Sequence, residues 1–277
     1  MDTGLTSLVD QRTLWASAMK RRPAIRALFS LFCAATVAVL MMMQPASAQQ
    51  SVKIGAYYFP PYATNSVEGM GGMVADLVVA MNEAQDAYVF EIVPTSSTDR
   101  YADLETGRFD MLAFENIAWG WQDMPVDASE VFMGGSEIYV AAADAPGGQA
   151  FFDNITDHKI AAVYGFHYGF AGFNGDPAYL QTNYSVEQPL TPSTSLYHVL
   201  DGRVDIAVVS DLFLKMFLAE HAQYQDRFLI GDTPDQTYEH SFVVARDRGP
   251  SVEELNTIIG QLRDNGTFNR LMESYAY

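Results

Sequence analysis

The sequence is short of cysteine and of positive charge, and each shortage excludes a class of function. Cys33 is the only cysteine, so no disulfide can form within the chain and no cysteine-rich metal site exists. Sixteen Lys and Arg residues face 34 Asp and Glu residues, which gives a net charge of −18. Because a surface this acidic repels nucleic acids and anionic lipids, we expect neither as a partner.

Signals for catalysis and for metal binding are also missing. The histidines are scattered and lack the His-x-x-x-His spacing of a zinc site. Ser210-Asp211 does not lie in the sequence context of a nucleophile elbow, and the glycine-rich loop 69–72 has no phosphate-binding lysine. We therefore expect no cofactor, no metal and no catalytic residue, and predict that the protein is not an enzyme.

The N-terminal segment has the three parts of a secretory signal peptide. Basic residues at 20–22 and 26 precede an uncharged apolar stretch, 27–43, and Ala46-Ser47-Ala48 follows it. This pattern predicts secretion and removal of residues 1–48, with cleavage after Ala48. The alternative is a membrane anchor, although about 17 apolar residues is the short limit for a span. Cleavage would remove five basic and two acidic residues, leaving a net charge of −21.

A short motif occurs twice in the mature region. Residues 101–114 read YADLETGRFDMLAF and residues 197–209 read YHVLDGRVDIAVV. In each copy a glycine suited to a helix C-terminus precedes Arg-x-Asp and a strand without polar alternation, as in buried parallel sheets. Two such units about a hundred residues apart predict two similar α/β lobes.

Along the whole mature region, the pattern predicts alternating strands and helices. Strands are predicted at 52–57, 88–93, 110–114, 137–143, 159–163, 183–187, 205–209, 227–230 and 240–245, and helices at 73–84, 99–106, 193–200, 211–221 and 251–275 with a break at Asn265-Gly266. Extended crossings near 138–143 and 237–243 would join the lobes. The predicted segments are the signal peptide 1–48, lobe one at 49–143, lobe two at 144–236, and a return to lobe one at 237–277.

Several further features resemble one protein family. They are the Pro-Pro-Tyr loop at 60–62, Gly-Met-Val-Ala-Asp-Leu at 72–77, the repeated Gly-Arg-x-Asp, and Leu-Arg-Asp-Asn-Gly-Thr-Phe at 262–268. Together with the signal peptide, these resemble bacterial extracellular solute-binding proteins of family 3, the periplasmic receptors of polar amino-acid ABC importers. The resemblance implies a type II-like periplasmic binding protein fold: two α/β lobes, two hinge strands and a ligand cleft between the lobes. It also implies a small-molecule solute and an inner-membrane ABC permease as partners, and we expect a monomer.

The sequence departs from this family where the ligand's carboxylate is bound. In such receptors an arginine after the first repeat's strand forks onto the α-carboxylate. An ungapped count from Asp110 places Gln122 at that position, with Trp119 and Glu115 at two other family positions. In lobe two, Gly165-Phe166-His167 replaces the family's Gly-Thr-Thr loop. The family's amine-binding aspartate is retained as Asp211.

These departures predict a cleft with acidic and aromatic side chains in place of an arginine. Such a site suits an ammonium group through cation–π attraction and a counter-charge, although the rings would also stack on a sugar or a heterocycle. The candidate ligand-binding residues are Tyr57, Tyr58, Phe59, Tyr62, Glu115, Asn116, Trp119, Trp121, Gln122, Phe166, His167, Tyr168 and Asp211.

Three functions remain open at this point. The first is a periplasmic receptor that captures a small polar solute, cationic or containing an amine, for an ABC importer. The second is an enzyme on the same fold, resembling cyclohexadienyl dehydratase, whose anionic substrate should need an arginine. The third is an accessory protein of a periplasmic dehydrogenase, which would bind no solute.

Overall fold

The computed structural model describes residues 48–67 and 69–275. The chain divides after Ala48, and Gln49–Tyr277 forms one unit. The predicted signal peptide ends at Ala48. Its residues 1–47, which include Cys33, lie outside the described residues. Among the residues described, no helix combines the length and the apolar character needed to cross a membrane.

The first half of the unit alternates strands with two helices. Its elements are β1 (Gln50–Ala56), β2 (Thr64–Ser66), β3 (Gly69–Gly71), α1 (Met73–Ala84), β4 (Tyr88–Pro94), α2 (Arg100–Glu105), β5 (Met111–Glu115), β6 (Val126–Ala128) and β7 (Met133–Ala142). Helix α1 buries Met73, Leu77 and Met81 at helical spacing. Gly72 precedes it with φ 81, and a Cβ there would lie 2.6 Å from the Pro61 carbonyl oxygen, so the position requires glycine.

The second half contains more helix. Its elements are β8 (Ile160–Ala161), α3 (Pro177–Asn183), β9 (Val186–Glu187), α4 (Pro192–Leu200), β10 (Ile206–Ser210), α5 (Asp211–Glu220), β11 (Phe228–Ile230), β12 (Gln236–Ala245), α6 (Val252–Asp264) and α7 (Thr267–Ser274). The predicted break in the last helix is confirmed, because Gly266 separates α6 from α7 with φ 75. Ser251 and Glu254 form a capping box at the start of α6.

One curled sheet runs through the whole unit. Its strand order is β4-β1-β5-β12-β7-β10-β8-β9, with β6 added to β12 and β11 added to β7. Strand β1 pairs in parallel with β4 and β5, and β10 pairs in parallel with β8. The ten-residue strands β7 and β12 are antiparallel neighbours at the centre of the sheet. Each extends from one half of the sheet into the other, so these are the two hinge strands.

Separate hydrophobic cores form on either side of the hinge strands. The core of lobe one combines buried side chains from 52–133 with others from 238–272 and with Leu212 of α5. The core of lobe two draws on residues 139–217 in two clusters. The chain therefore forms lobe one, passes into lobe two and returns. The two-lobed α/β fold is confirmed, whereas the segment boundaries at 143 and 236 remain a prediction.

Both copies of the repeated motif adopt the same local structure. Gly107 follows α2 with φ 75 and Gly202 follows α4 with φ 65, the left-handed conformation that the motif predicted. The two strands that follow, β5 and β10, are buried along most of their length. The repeat thus builds one equivalent unit in each lobe.

The aspartates of the repeat hold the neighbouring strand in place. The Lys53 backbone N–H donates to Asp110 Oδ2 at 2.8 Å, and the Lys159 backbone N–H donates to Asp205 Oδ2 at 2.7 Å. Lys53 lies on β1, which is parallel to β5, and Lys159 directly precedes β8, which is parallel to β10. These carboxylates therefore have a structural role, and neither belongs to the cleft.

The structure corrects the prediction between residues 177 and 187. A strand was predicted from Asn183, but Asn183 is the last residue of helix α3, and the strand β9 is only two residues long. Helix α3 begins with Pro177 at its first position and is capped by Asp176, whose Oδ1 accepts the Ala178 N–H at 2.8 Å. The hairpin β2–β3 and the short strand β6 were also not predicted.

Candidate functional site

The inner part of the cleft between the lobes is almost filled by the protein's own side chains. A chamber of about 10 Å³ remains, which is enough for one water-sized group. Both lobes and both hinge strands contribute to its wall. The chamber is lined by Tyr57, Phe59, Arg100, Trp119, Glu137, Phe166, His167 and Gln236.

Arg100 contributes a positive charge to the chamber, which the sequence analysis did not predict. It is the first residue of α2, and only 1% of its side chain is exposed. Its Nε lies 3.2 Å from Glu115 Oε1, and Glu115 is completely buried. The Trp121 indole N–H donates to the other carboxylate oxygen at 2.8 Å. Burial raises the pKa of the Glu115 carboxyl, while the Arg100 charge and the indole N–H counteract that rise.

Aromatic rings surround the Arg100 guanidinium. Its central carbon lies 4.5 Å from the ring centre of Tyr101, 4.7 Å from that of Tyr57 and 5.8 Å from that of Trp121. The guanidinium also donates to the Ser97 carbonyl oxygen. Cation–π attraction and the pair with Glu115 thus satisfy this buried charge from within lobe one.

A strained backbone aims Glu115 into the interior. Phe114, at the end of β5, has φ 58, a left-handed conformation that aromatic residues rarely adopt. The pairing of β5 with β12 is irregular at the same place, with a register shift between Ser241 and Val243. Residues in such conformations persist where surrounding contacts enforce them, often at binding sites.

Glu137 is the second buried carboxylate of the chamber. It lies on β7 and is 4% exposed. Its sheet neighbours are Ser210 on β10 and Gln236 on β12, so it sits where the two hinge strands meet lobe two. Across residues 48–67 and 69–275, no side chain or backbone N–H donates a hydrogen bond to its carboxylate, and no cation pairs with it.

The surroundings of Glu137 are acidic. Burial raises the pKa of Glu137 well above its usual range, and the negative charges of Asp235 and Asp211 raise it further. Asp235 accepts hydrogen bonds from the Tyr139 hydroxyl at 2.6 Å and from the Gly169 backbone N–H at 2.6 Å. Burial raises the pKa of Asp235, and these bonds counteract that rise. Glu137 has no such bonds among the described residues.

Gln236 connects both lobes above the chamber. Its side-chain Oε1 accepts the Trp119 indole N–H at 3.0 Å, from lobe one. Its Nε2 donates to the His167 carbonyl oxygen at 2.5 Å, in lobe two. The Ser97 hydroxyl adds a third connection by donating to the Tyr164 carbonyl oxygen at 2.9 Å. The lobes are therefore in direct contact in this closed arrangement.

His167 lies between the lobes as a neutral imidazole. Its Nε2 is 3.2 Å from the Tyr101 hydroxyl, and its Nδ1 is 3.5 Å from Arg100 Nη2. Burial and the neighbouring charge of Arg100 lower the pKa of His167 to about 3. On its other side, a Cβ at Gly175 would come within 2.6 Å of the ring. The ring is thus held between α2 and the loop before α3.

Stacked rings complete the chamber. Phe59 is at the centre of this cluster. The centre of its ring lies 5.3 Å from the ring centre of Phe166 in lobe two, 5.9 Å from that of Trp119 and 6.2 Å from that of Tyr57. These contacts join the loop after β1 to lobe two. Offset and edge-to-face pairs of this kind stabilise the closed arrangement beyond their buried area.

The structure brings six of the candidate residues together at the chamber or its buried ion pair. Tyr57, Phe59, Trp119, Phe166 and His167 line it, and Glu115 lies behind it, paired with Arg100. Trp121 is completely buried, and its indole N–H donates a hydrogen bond to the Glu115 carboxylate. Tyr58 is partly buried.

Other candidates have structural partners or lie at the surface. The Tyr62 hydroxyl is 3.2 Å from that of Tyr238, and the Tyr168 hydroxyl accepts the Val163 N–H at 2.6 Å. Asn116 accepts the Ala118 backbone N–H at 2.8 Å and so forms a local turn. Gln122, placed by counting at the arginine position, is exposed. Asp211 is also exposed, at the start of α5, and acts on Glu137 through its charge.

Three chamber residues were not among the candidates. Arg100 corrects the expectation of a cleft without an arginine, although it comes from α2 and not from the loop where the family's arginine was sought. Glu137 and Gln236 lie on the hinge strands. The sequence does contain one signal for Glu137. It is an acidic residue at the start of the apolar run Glu137-Ile-Tyr-Val-Ala-Ala, where a strand with a purely structural role needs no charge.

A glycine at the lobe contact provides the first testable prediction. Gly165 has φ 75, and a Cβ there would meet Ser97 Oγ at 2.5 Å and Thr98 Cγ2 at 2.8 Å, across the lobes. Gly165→Ala should therefore hold the lobes apart and increase the radius of gyration in small-angle scattering. Gly172→Ala is the matched control, because Gly172 has φ 63 but no atom within 4 Å of the added Cβ. Equal scattering from both variants would contradict the closed contact.

Metal binding has no structural support in the part of the chain described. Within residues 48–67 and 69–275, no group of three or more His, Cys, Asp or Glu side chains is arranged to hold an ion. Burial lowers the pKa of His240, beside the chamber rings, to about 3, so this histidine is neutral as well.

Solved structures with the same fold are numerous. The substrate-binding protein of an amino acid ABC transporter superposes with a TM-score of 0.64 at 22% identity, covering 81% of this chain and 98% of that chain. A putative ABC-transporter binding component from Wolinella succinogenes, complexed with lysine, gives 0.65 at 17% identity, covering 81% and 94%. A substrate-binding protein from Streptococcus pneumoniae with bound histidine gives 0.65 at 18% identity, covering 81% and 92%. At these identities the likeness shows the fold.

The sequence itself also matches a family. No curated protein matches the chain. The profile of the bacterial extracellular solute-binding proteins, family 3, matches residues 52–277, nearly the whole of the unit that begins at Gln49. The chain therefore belongs to the bacterial extracellular solute-binding proteins of family 3.

Proposed function

We propose that the protein is a periplasmic receptor that binds a small cationic solute between its lobes and delivers it to an ABC importer. The observation that carries this proposal is Glu137, a carboxylate that is 4% exposed, lines the chamber and has no partner among the described residues. Ionising a buried carboxyl group without a donor or a counter-charge is costly, and this cost raises the pKa of Glu137. A bound cation would remove that cost.

The charges around the chamber favour a cation. Arg100 and Glu115 neutralise each other, because their charged groups are 3.2 Å apart and both are buried. What remains is Glu137 with Asp235 and Asp211, whose charges act on it. The neutral His167 adds no repulsion. A positive group in the chamber would therefore face an excess of negative charge and several aromatic rings.

The same arrangement disfavours an α-carboxylate. Arg100 is already paired with Glu115 and bonded to the Ser97 carbonyl oxygen, and Gln122 is at the surface. A carboxylate in the chamber would lie near Glu137 with no free cation to bind. The proposed solute therefore differs from the lysine and histidine found in the similar structures.

Binding would be coupled to movement of the lobes. The chamber takes only a water-sized group when the lobes are closed, so a solute enters while they are apart. Contacts to Phe59 of lobe one and to Phe166 of lobe two, with Glu137 on the hinge strand between them, would then favour the closed form. The closed form is the state that we propose an inner-membrane permease receives.

The accessory protein of a periplasmic dehydrogenase is the second candidate. An exposed aromatic cleft would favour it, whereas Phe59 and Trp119 are each only 5% exposed, so the enclosed rings support the receptor instead. The reading as an enzyme has less support, because the chamber's one arginine is neutralised. One of the similar structures is an ancestral amino-acid-binding protein described as a precursor of cyclohexadienyl dehydratase.

A thermal-shift screen separates these candidates. Amines, betaines, amino acids and sugars would be added to the exported protein, and a true ligand at 100 times its Kd should add about 2.7 kcal/mol to the free energy of unfolding. We expect shifts from amines and none from sugars or anionic acids. A complete lack of response across the screen would favour the accessory protein, and a response confined to acids would contradict the proposed charge preference.

A further inference from the structure

A larger cavity adjoins the chamber at the mouth of the cleft. We call it the mouth cavity; its volume is about 470 Å³, within the range of small-molecule sites. Loops of both lobes form it. It is lined by Ser97, Thr98, Tyr101, Gly120, Met124, Gly165, His167, Phe173, Asn174, Gly175, Asp176 and Pro177. His167 lines both the mouth cavity and the chamber that contains Glu137.

Most polar groups of the mouth cavity already have partners. The Ser97 hydroxyl donates to the Tyr164 carbonyl oxygen, and the Tyr101 hydroxyl donates to the Trp119 carbonyl oxygen at 2.7 Å. Asp176 caps α3. The surface left for a ligand is therefore mainly apolar and includes Phe173 and Met124. Such a surface binds hydrocarbon or aromatic groups by removing them from water.

Phe173 is held in an unusual conformation beside this cavity. Its φ is 62, and its backbone N–H donates to the Tyr168 carbonyl oxygen at 2.9 Å. The residue is nevertheless 39% exposed, so its ring is not fully used in the core. An aromatic residue in the left-handed region is uncommon, and strain of this kind concentrates at binding sites.

From these features we infer that the mouth cavity binds the apolar body of the solute while Glu137 binds its ammonium group. The solute is then a primary amine with a hydrocarbon or aromatic body and without a carboxylate. This inference rests on the proposed function, and it adds a second subsite to it. The chamber accepts only a water-sized head group, so the remainder of the molecule must extend past His167, the residue that both spaces share.

The test uses a series of amines that share the head group. Methylammonium, butylammonium and phenethylammonium would be titrated into the full exported protein by calorimetry. We expect affinity to rise at least tenfold from methylammonium to butylammonium, and to be highest for phenethylammonium.

Variants locate the effect in the mouth cavity. Phe173→Gly removes the ring and suits the left-handed backbone, and it should weaken phenethylammonium binding about tenfold while leaving methylammonium binding unchanged. Leu190→Ala is the control, since Leu190 is an exposed apolar residue of lobe two that does not line this cavity.

Each possible outcome bears on a specific claim. Equal affinities across the series would overturn the apolar subsite and leave the cation receptor intact. Loss of methylammonium binding in Phe173→Gly would also overturn it. If the wild-type protein binds none of the amines, both the subsite and the proposed function are wrong.

Discussion

Replacement of Glu137 by glutamine is expected to stabilise the solute-free protein and to remove most of its affinity for amines. The folded state raises the pKa of this carboxyl, so the unfolded chain releases the proton at a lower pH than the folded protein does. The resulting cost to stability begins as pH rises through the unfolded pKa of about 4.3 and grows until the raised folded pKa is reached. Glutamine carries no such cost.

The difference in the free energy of unfolding between Glu137→Gln and wild type should therefore increase with pH and vanish in acid. The same variant should bind an amine about a hundredfold more weakly, because the counter-charge is lost. Chemical denaturation at several pH values and calorimetry would measure the two effects. Glu239→Gln, on the same hinge region but exposed, is the control and should change neither. Destabilisation by Glu137→Gln at neutral pH would contradict the account.

Replacement of Arg100 by methionine is expected to be the most destabilising single change near the chamber. It leaves Glu115 completely buried without its cation, and removal of one partner of a buried pair typically costs about 3–5 kcal/mol. In a domain of this size, each kcal/mol lowers Tm by about 2–4 °C, which thermal unfolding would detect.

A second substitution tests whether the pair is the cause. Glu115→Gln in the Arg100→Met background removes the unpaired charge but keeps an acceptor for the Trp121 indole N–H, so it should restore much of the lost stability. Arg108→Met is the matched surface control, because Arg108 pairs with Asp103 in solvent and should change Tm far less. An Arg100→Met variant as stable as wild type would refute the buried pair.

The repeated motif and its glycines are the part of the fold that the sequence predicts best. Gly107 and Gly202 mark two helix ends, and local backbone preference alone determines those positions. The predicted helix 73–84 agrees with α1 because its apolar face has a clear period. Helix α3 was missed because its seven residues bury only Leu180, so no such period exists.

The sequence predicts the aromatic character of the candidate site better than it predicts which charged residues lie in it. The aromatic character of the cleft follows from the loops after β1 and β5, and Phe59 and Trp119 do line the chamber. Arg100 was missed because the expected arginine was sought by counting along a single loop, whereas the pair with Glu115 joins α2 to β5. Glu137 was missed because its burial depends on the pairing of β7 with both β10 and β12, which are distant in sequence.

The most direct measurement of the cation preference compares two ligands that differ only by a carboxylate. Phenethylammonium and L-phenylalanine would be titrated calorimetrically into the exported wild-type protein and into Glu137→Gln. The account predicts that the wild-type protein binds phenethylammonium at least tenfold more tightly than L-phenylalanine, and that Glu137→Gln loses this preference. Sub-micromolar binding of L-phenylalanine or another standard L-amino acid by the wild-type protein would contradict it.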